Sequence, residues 1–462
     1  MGMHPPPPCV TFLYWYKIVN VPAQYPFQGS TAKEIAESIE RAVTSGELPP
    51  DALLPPVRNL AAQLGVAPNT AAAAYRALRD RGIVTTDGRR GTRVRPRPSV
   101  APRAEPGSVV SPDARDLADG NPAADLLPDL RAALTATARA HQRAKRYGVP
   151  VVSAGLAERG RESLAAEGVP AGDLTVASGT LDAIERVLQA HLRPGDAVAV
   201  EDPGYANLLD LVAALGLRAL PVPIDEAGPL PDALRTAVRR GARALVVTPR
   251  AQNPTGAAVS AERSVELRAL LRTAGLLLIE DDHAAGIAGA PLHSLAGSCE
   301  HWAYARSLSK AYGPDLRIAL VAGDPTTVSR VEGRLRLGHG WVSHLLQDTA
   351  AALLADPAAA AAVARAEQAY AKRRAALVAA LRERGVSAYG RSGLNVWVPV
   401  RDETATVTAL LAAGWAVSPG ARFRLASPPG IRITVSELAP DEIGPLADAV
   451  RDALRAPTRT GA

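Results

Sequence analysis

Lysine is nearly absent from this chain. Of 52 basic residues only five are lysines, Lys17, Lys33, Lys145, Lys310 and Lys372, so arginine carries almost all the positive charge. A guanidinium cannot condense with an aldehyde, whereas a primary amine can, so a retained lysine here is a candidate for covalent chemistry. Cysteine is just as scarce. Cys9 and Cys299 alone exclude a disulfide framework and any Cys-x-x-Cys metal site, and they suit a reducing cytoplasm. Aromatic residues make up only 4%, which leaves Ala, Leu and Val to do most of the packing. The apolar stretch Cys9 to Tyr16 is too short to cross a bilayer. No basic region precedes it and no small-residue cleavage site follows, so a signal peptide is not expected. Residues 1–24, with the run Pro5 to Pro8, read as a disordered extension.

What is present sets the scale. At 462 residues the chain is too long for one ordinary core, and two or more domains are expected. A hydrophobic share of 47% supports well-buried cores. The net charge of +6 and the isoelectric point near 9.5 raise the question of nucleic acid without answering it.

From Tyr25 the pattern becomes regular. Thr31-Ala-Lys-Glu34 has the form of a capping box, and Ile35, Ile39 and Val43 then recur at helical spacing. Gly46 ends that helix. Val57 to Leu64 reads as a short second helix, Gly65-Val66 as a turn, and Pro68 to Arg81 as a third helix. Ile83 to Thr86 and Gly91 to Val94 read as two strands joined at Asp87-Gly88. This order is that of a winged helix-turn-helix spanning residues 25–95. Arg76, Arg79, Arg81, Arg89, Arg90, Arg93, Arg95 and Arg97 cluster on the third helix and wing, opposed only by Asp80 and Asp87.

The segments Leu54-Pro-Pro-Val-Arg-Asn-Leu-Ala61, Leu64-Gly-Val66, Asn69-Thr70, Tyr75-Arg-Ala-Leu78 and Gly91-Thr92 resemble GntR-type DNA-binding domains. The resemblance implies that Arg58, Asn69, Thr70, Tyr75 and Arg76 face double-stranded DNA, with Arg89 and Arg90 in the wing. Ala71 to Ala74 depart from it, because that family often has polar or basic residues there, and they leave fewer side chains to read bases.

Residues 96–115 are rich in proline and poor in large apolar side chains, which predicts an extended tether. The third region runs from 116 to 458. Short β-rich runs alternate with helical stretches, beginning at Leu174, Ala197, Arg218, Ala244, Leu276, Trp302 and Ile318. That alternation predicts an α/β domain with a mostly parallel sheet and helices on both faces. Functional residues are then expected at the strand ends.

The suspicious residues sit there. Ser178-Gly179-Thr180 precedes a helix whose free N–H groups suit an anion. Tyr205 lies in a turn, where its ring could stack on a planar ligand. Asn253-Pro-Thr-Gly256 follows the run from Ala244, and Asp281-Asp282 ends the run from Leu276. Ser307-Leu-Ser-Lys310 follows the run from Trp302, with Arg317 seven residues beyond Lys310. Five elements in this order resemble fold-type I aminotransferases, which bind pyridoxal 5'-phosphate (PLP) and have a smaller C-terminal α+β subdomain. The resemblance implies that Lys310 forms the Schiff base with the cofactor. It implies that Ser178, Gly179, Thr180, Ser307, Ser309 and Arg317 surround the phosphate, with Tyr147 reaching it from a second subunit. Tyr205 would stack on the ring, Asn253 would bind the phenolic oxygen, Asp281 the pyridinium nitrogen, and Arg432 the carboxylate of an amino-acid ligand. His283 departs from the family, which usually places a tyrosine two or three residues after the aspartate. Its imidazole could make a similar hydrogen bond with a different pKa. No metal site is expected.

The two halves together resemble the MocR subgroup of GntR regulators. That implies a cytoplasmic bacterial transcription regulator, a head-to-tail homodimer with PLP as ligand or ligand anchor and an amino-acid or vitamin B6 effector. A working aminotransferase and a direct sensor of PLP are the alternatives.

Overall fold

The computed structural model describes residues 26–44, 47–49, 52–80, 83–86, 91–94, 114–141, 145–170 and 172–455. The expected N-terminal extension, the turn at Asp87-Gly88 and all of the tether but its last two residues lie outside the described residues. The chain divides into two compact units, residues 1–97 and 98–462.

The first unit is built on three helices, α1 (Ala32–Thr44), α2 (Val57–Leu64) and α3 (Pro68–Asp80), followed by β1 (Val84–Thr86) and β2 (Thr92–Val94), which pair antiparallel. The capping box forms at the start of α1. Thr31 N donates to Glu34 Oε2, and Glu34 N donates to Thr31 Oγ1, each at 3.3 Å. Gly65, in the left-handed region at φ 64°, closes α2 and turns the chain towards α3. Ile35 and Ile39 of α1, Leu60 of α2 and Ala71, Ala74, Tyr75 and Leu78 of α3 make the core. Each fully buried Leu or Ile contributes roughly 1.5–3 kcal/mol.

In the second unit the tether ends earlier than its composition suggests. Arg115 already belongs to β3 (Arg115–Asp116), which pairs parallel with β13 (Trp415–Ala416). The large sheet contains β4 (Asp173–Ala177), β5 (Ala197–Asp202), β6 (Arg218–Asp225), β7 (Gly228–Pro229), β8 (Ala242–Val247), β9 (Leu277–Asp282), β10 (Trp302–Ser307) and β11 (Ala319–Gly323). Their order across the sheet is β4-β11-β10-β9-β8-β5-β6-β7. The run from β10 to β6 is parallel, while β11 is antiparallel to both its neighbours. Side chains of the parallel strands alternate between two cores. Ala197, Ala199, Leu245 and Leu278 enter one with the helices Ala154–Ala166 and Ala261–Ala274, while Val198, Val200, Val246 and Ile279 enter the other with the helix Thr180–His191. Burial on both faces explains why these strands read as unbroken apolar runs.

A smaller layer follows, in which β12 (Asn395–Pro399), β15 (Gly430–Thr434) and β14 (Ser418–Pro419) form an antiparallel sheet. The helices Pro357–Glu383 and Ile443–Arg455 share a core with it through Leu377, Ile431, Ile433 and Leu446. Among the described residues no helix is long and apolar enough to cross a membrane.

Candidate functional site

The parallel strands bring their carboxyl ends to one edge, and the predicted residues gather there. A cavity of about 470 Å³ is lined by Thr180, Tyr205, Asn253, His283, Ser307, Ser309, Lys310, Arg317 and Arg432. Asp281, near the end of β9 and 3% exposed, stands behind that lining and interacts with two of its residues, Thr180 and Tyr205. Tyr147 is elsewhere. It is 92% exposed and packs edge-on against Trp341, with ring centroids 5.4 Å apart.

Lys310 sits on the single turn Ser309–Tyr312 after β10. Its Nζ donates to the carbonyl of Gly120. Burial, assisted by the charge of Arg432, lowers its pKa to about 8, so a useful fraction of the amine is neutral near physiological pH. The two adjacent acids of β9 differ sharply. Burial and the neighbouring Asp282 raise Asp281 to about 7, although a hydrogen bond with Thr180 opposes the shift. Burial acts on Asp282 as well, but it is outweighed by Arg250, Arg306 and Tyr304, which hold that carboxyl below its usual range. Arg250 grips Asp282 through Nε and Nη2 at 2.9 and 2.8 Å, while Nη1 and the same Nη2 reach Glu167 at 2.7 and 3.0 Å. Arg306 also bonds Glu167. This buried lattice fixes the end of β9 and so aims Asp281 at the cavity.

The other walls are equally specific. Gly179 has φ +102°, which strains any residue with a side chain, and a Cβ there would lie 2.5 Å from the Arg317 guanidinium and push it aside. Arg317 itself adopts φ 45°, a costly conformation for a residue with a side chain, and donates to Ser178 O at 2.9 Å. Ser307 Oγ accepts from Ser309 N at 3.1 Å. Arg432 donates to Asn253 Oδ1 at 3.1 Å and to Ala118 O. Burial and the charge of Lys310 lower His283 to about 4, so its imidazole is neutral. Burial raises Tyr205.

Among the buried side-chain atoms that lack a hydrogen-bond partner within the described residues are Asp281 Oδ1 and Ser309 Oγ. Leaving such groups bare is costly unless a ligand completes them. A cationic ring nitrogen for the first and a phosphate oxygen for the second are the partners that PLP would bring, so the residues present fit that group.

On the first unit, Arg58, Asn69 and Arg76 are exposed and Thr70 is half-buried. Tyr75 requires a correction. It is 5% exposed, its hydroxyl donates to Pro55 O at 2.7 Å, and burial pushes its pKa up, so it braces the core and does not face DNA. Ala71, Ala74, Tyr75 and Leu78 are spaced i, i+3, i+4 and i+7, a pattern that could have identified it. Arg89 and Arg90 lie outside the described residues.

Sequence reasoning also missed Asp119, Gly120 and Asn121, which line the cavity, and the Arg250–Asp282–Glu167–Arg306 lattice. Gly120-Asn121-Pro122 reads as a turn and nothing more. The lattice joins residues up to 139 positions apart, which no local pattern reveals.

Residues 112–450 match the family described as aminotransferase class I and II, and residues 31–94 match bacterial regulatory proteins of the gntR family. The vitamin B6 salvage pathway transcriptional repressor PtsJ of Salmonella typhimurium is 40% identical over 430 residues, 92% of this chain and 99% of that protein. The HTH-type pyridoxine biosynthesis transcriptional regulator PdxR of Corynebacterium glutamicum is 31% identical over 261 residues, 55% of this chain and 56% of that one. In fold, the second unit is similar to the kynurenine aminotransferase of Pyrococcus horikoshii. The TM-score is 0.69 at 22% identity, covering 75% of this chain and 93% of that one.

Proposed function

The chain belongs to the aminotransferase class I and II family and, through the gntR-family module ahead of that domain, to the MocR-type regulators. From that premise we propose that it represses or activates transcription in response to PLP, and that its targets are genes of vitamin B6 metabolism.

The observation that supports this most is that Lys310 and the bare Ser309 Oγ belong to the lining of one cavity, with the bare Asp281 Oδ1 on the carboxyl group that interacts with Thr180 of the same lining. The full-length relative named for vitamin B6 salvage supports PLP itself as the effector. PLP would supply an electrophilic aldehyde, a basic ring nitrogen and a phosphate. Lys310 offers the aldehyde a partly neutral amine. Asp281 would become a carboxylate opposite the ring nitrogen, because a cation at its free oxygen offsets the burial that now raises it. Ser178, Gly179 and Thr180 at the N-terminus of the helix Thr180–His191, with Ser307, Ser309 and Arg317, would hold the phosphate. Tyr205 would cover the ring and Asn253 would bind its phenolic oxygen.

Arg432 favours a second reading, in which an amino acid joins the cofactor and its carboxylate takes this guanidinium from Ala118 and Asn253. Turnover is expected to be slow or absent, because the neutral imidazole of His283 stands where the family usually has a tyrosine. The regulator acts in the cytoplasm as a head-to-tail homodimer. Tyr147 would reach the phosphate of the partner subunit, and the exposed Leu134, Leu337 and Leu345 offer apolar surface for a second copy to cover.

Arg58 and Arg76 stand exposed on α2 and α3, and they are assigned to DNA phosphates. Arg58→Ala and Arg76→Ala should weaken binding to genomic fragments that the purified protein selects. Each lost phosphate contact should reduce the salt slope by about 0.9. Wild-type affinity and slope in both variants would move the DNA face away from these helices.

A further inference from the structure

The route from the tether to the cavity is nine residues long, Arg115 to Ala123, and it is fastened along its length. Arg115 N and Leu117 N donate to Gly414 O and Ala416 O, each at 2.8 Å. The Arg115 side chain reaches Glu442 Oε1 at 2.9 Å and the Glu437 carbonyl. Thr434 N donates to Leu117 O at 2.9 Å. Three consecutive carbonyls then face three side chains: Ala118 O accepts from Arg432, Asp119 O from the Thr434 hydroxyl, and Gly120 O from Lys310. Ala123 N donates to the Tyr370 hydroxyl at 3.0 Å. Two of the three clasping side chains are therefore those assigned to the ligand.

We infer that the segment Arg115–Ala123 is a relay, clasped by Lys310 and Arg432 in the free protein and loosened when a ligand takes either side chain. The inference rests on the proposed function and specifies how occupancy of that site reaches the tether. The physical reason is competition for donors. Condensation of the Lys310 amine with the cofactor aldehyde would form a C=N bond, break the C=O bond and release water, so that no ammonium remains for Gly120 O. Arg432 would likewise be unable to serve Ala118 O fully while gripping a carboxylate. Each transfer leaves a carbonyl of the segment without its charged donor, which weakens the clasp. The segment is covalently continuous with residues 96–114, so the loosening arises where the tether ends. Linkage makes the effect reciprocal: whatever weakens the clasp must favour the ligand to the same degree. Arg115 and Thr434 are thus positioning residues that hold the segment without touching the ligand.

The test uses the full-length protein, PLP as the probe, visible absorbance for uptake, and amide hydrogen exchange for the segment. Saturating PLP should speed exchange at Arg115, Leu117 and Ala123 by roughly tenfold or more, the equilibrium effect of one hydrogen bond from a charged donor. Arg115→Ala and Thr434→Val should exchange faster without ligand and bind PLP severalfold more tightly. A purely structural role would leave PLP affinity unchanged or weaken it. Full uptake by the wild type with unchanged exchange would overturn the relay alone, as would unchanged or weaker affinity in both variants. No uptake at all would overturn the proposed function and the relay with it.

Discussion

Lys310→Ala is expected to abolish the covalent PLP adduct completely, the largest single effect that any substitution in this chain should produce. The wild type should show a visible absorbance band and a mass increment that borohydride makes permanent. The variant should show neither, while the phosphate cradle around Gly179 and Arg317 retains weaker, reversible binding. The pH dependence has a defined sign. Only the neutral amine attacks an aldehyde, and burial lowers Lys310 to about 8. The rate of adduct formation should therefore rise with pH and level off above about 8, instead of climbing towards the value of an ordinary lysine near 10.4. A full-stoichiometry adduct in Lys310→Ala would assign the chemistry to another amine.

Arg250→Met is expected to cost about 3–5 kcal/mol of stability at neutral pH, because it strips the bidentate partner from a fully buried carboxylate. Asp282 is held below its usual range in the folded protein, so its stabilising contribution is present above the unfolded value of roughly 4 and is lost as the pH falls. The gap between wild type and variant in urea unfolding should thus be widest near pH 7 and should shrink at acid pH. PLP uptake should fall along with stability, because the same lattice positions Asp281. A gap that widens on acidification would contradict the account.

How much of this was legible in the sequence varied with the range of the interaction responsible. The capping box at Thr31 and Glu34 is a local pattern and forms as read. The parallel strands announced themselves as apolar runs because both faces are covered, and a strand end is visible wherever a small or charged residue interrupts such a run. Such interruptions mark positions such as Ser178 and Asp281, but the roles of the site residues, and Arg432 altogether, which lies in the middle of β15, were implied by the family resemblance and not by strand ends. Tyr75 was misread because a family resemblance was given more weight than the stripe of Ala71, Ala74 and Leu78 around it. Arg115, the last residue of the expected tether, has no intrinsic strand signature, and only pairing of Arg115 and Asp116 with Trp415 and Ala416 makes it part of a strand. The Arg250–Asp282–Glu167–Arg306 lattice and the clasp on Gly120 were invisible for a related reason. Their partners are distant in sequence, and a backbone carbonyl carries no residue signature at all.

The proposed regulation requires that the occupancy of the Lys310 cavity set the affinity for DNA. The measurement is a titration of a selected genomic DNA fragment at fixed salt, with wild type and Lys310→Ala, each with and without PLP. The predicted result is a PLP-dependent change in wild-type affinity of about 5- to 150-fold, the usual range of coupling between two sites, with little or no change in the variant. Equal affinities with and without PLP in the wild type, at full cofactor occupancy, would contradict it.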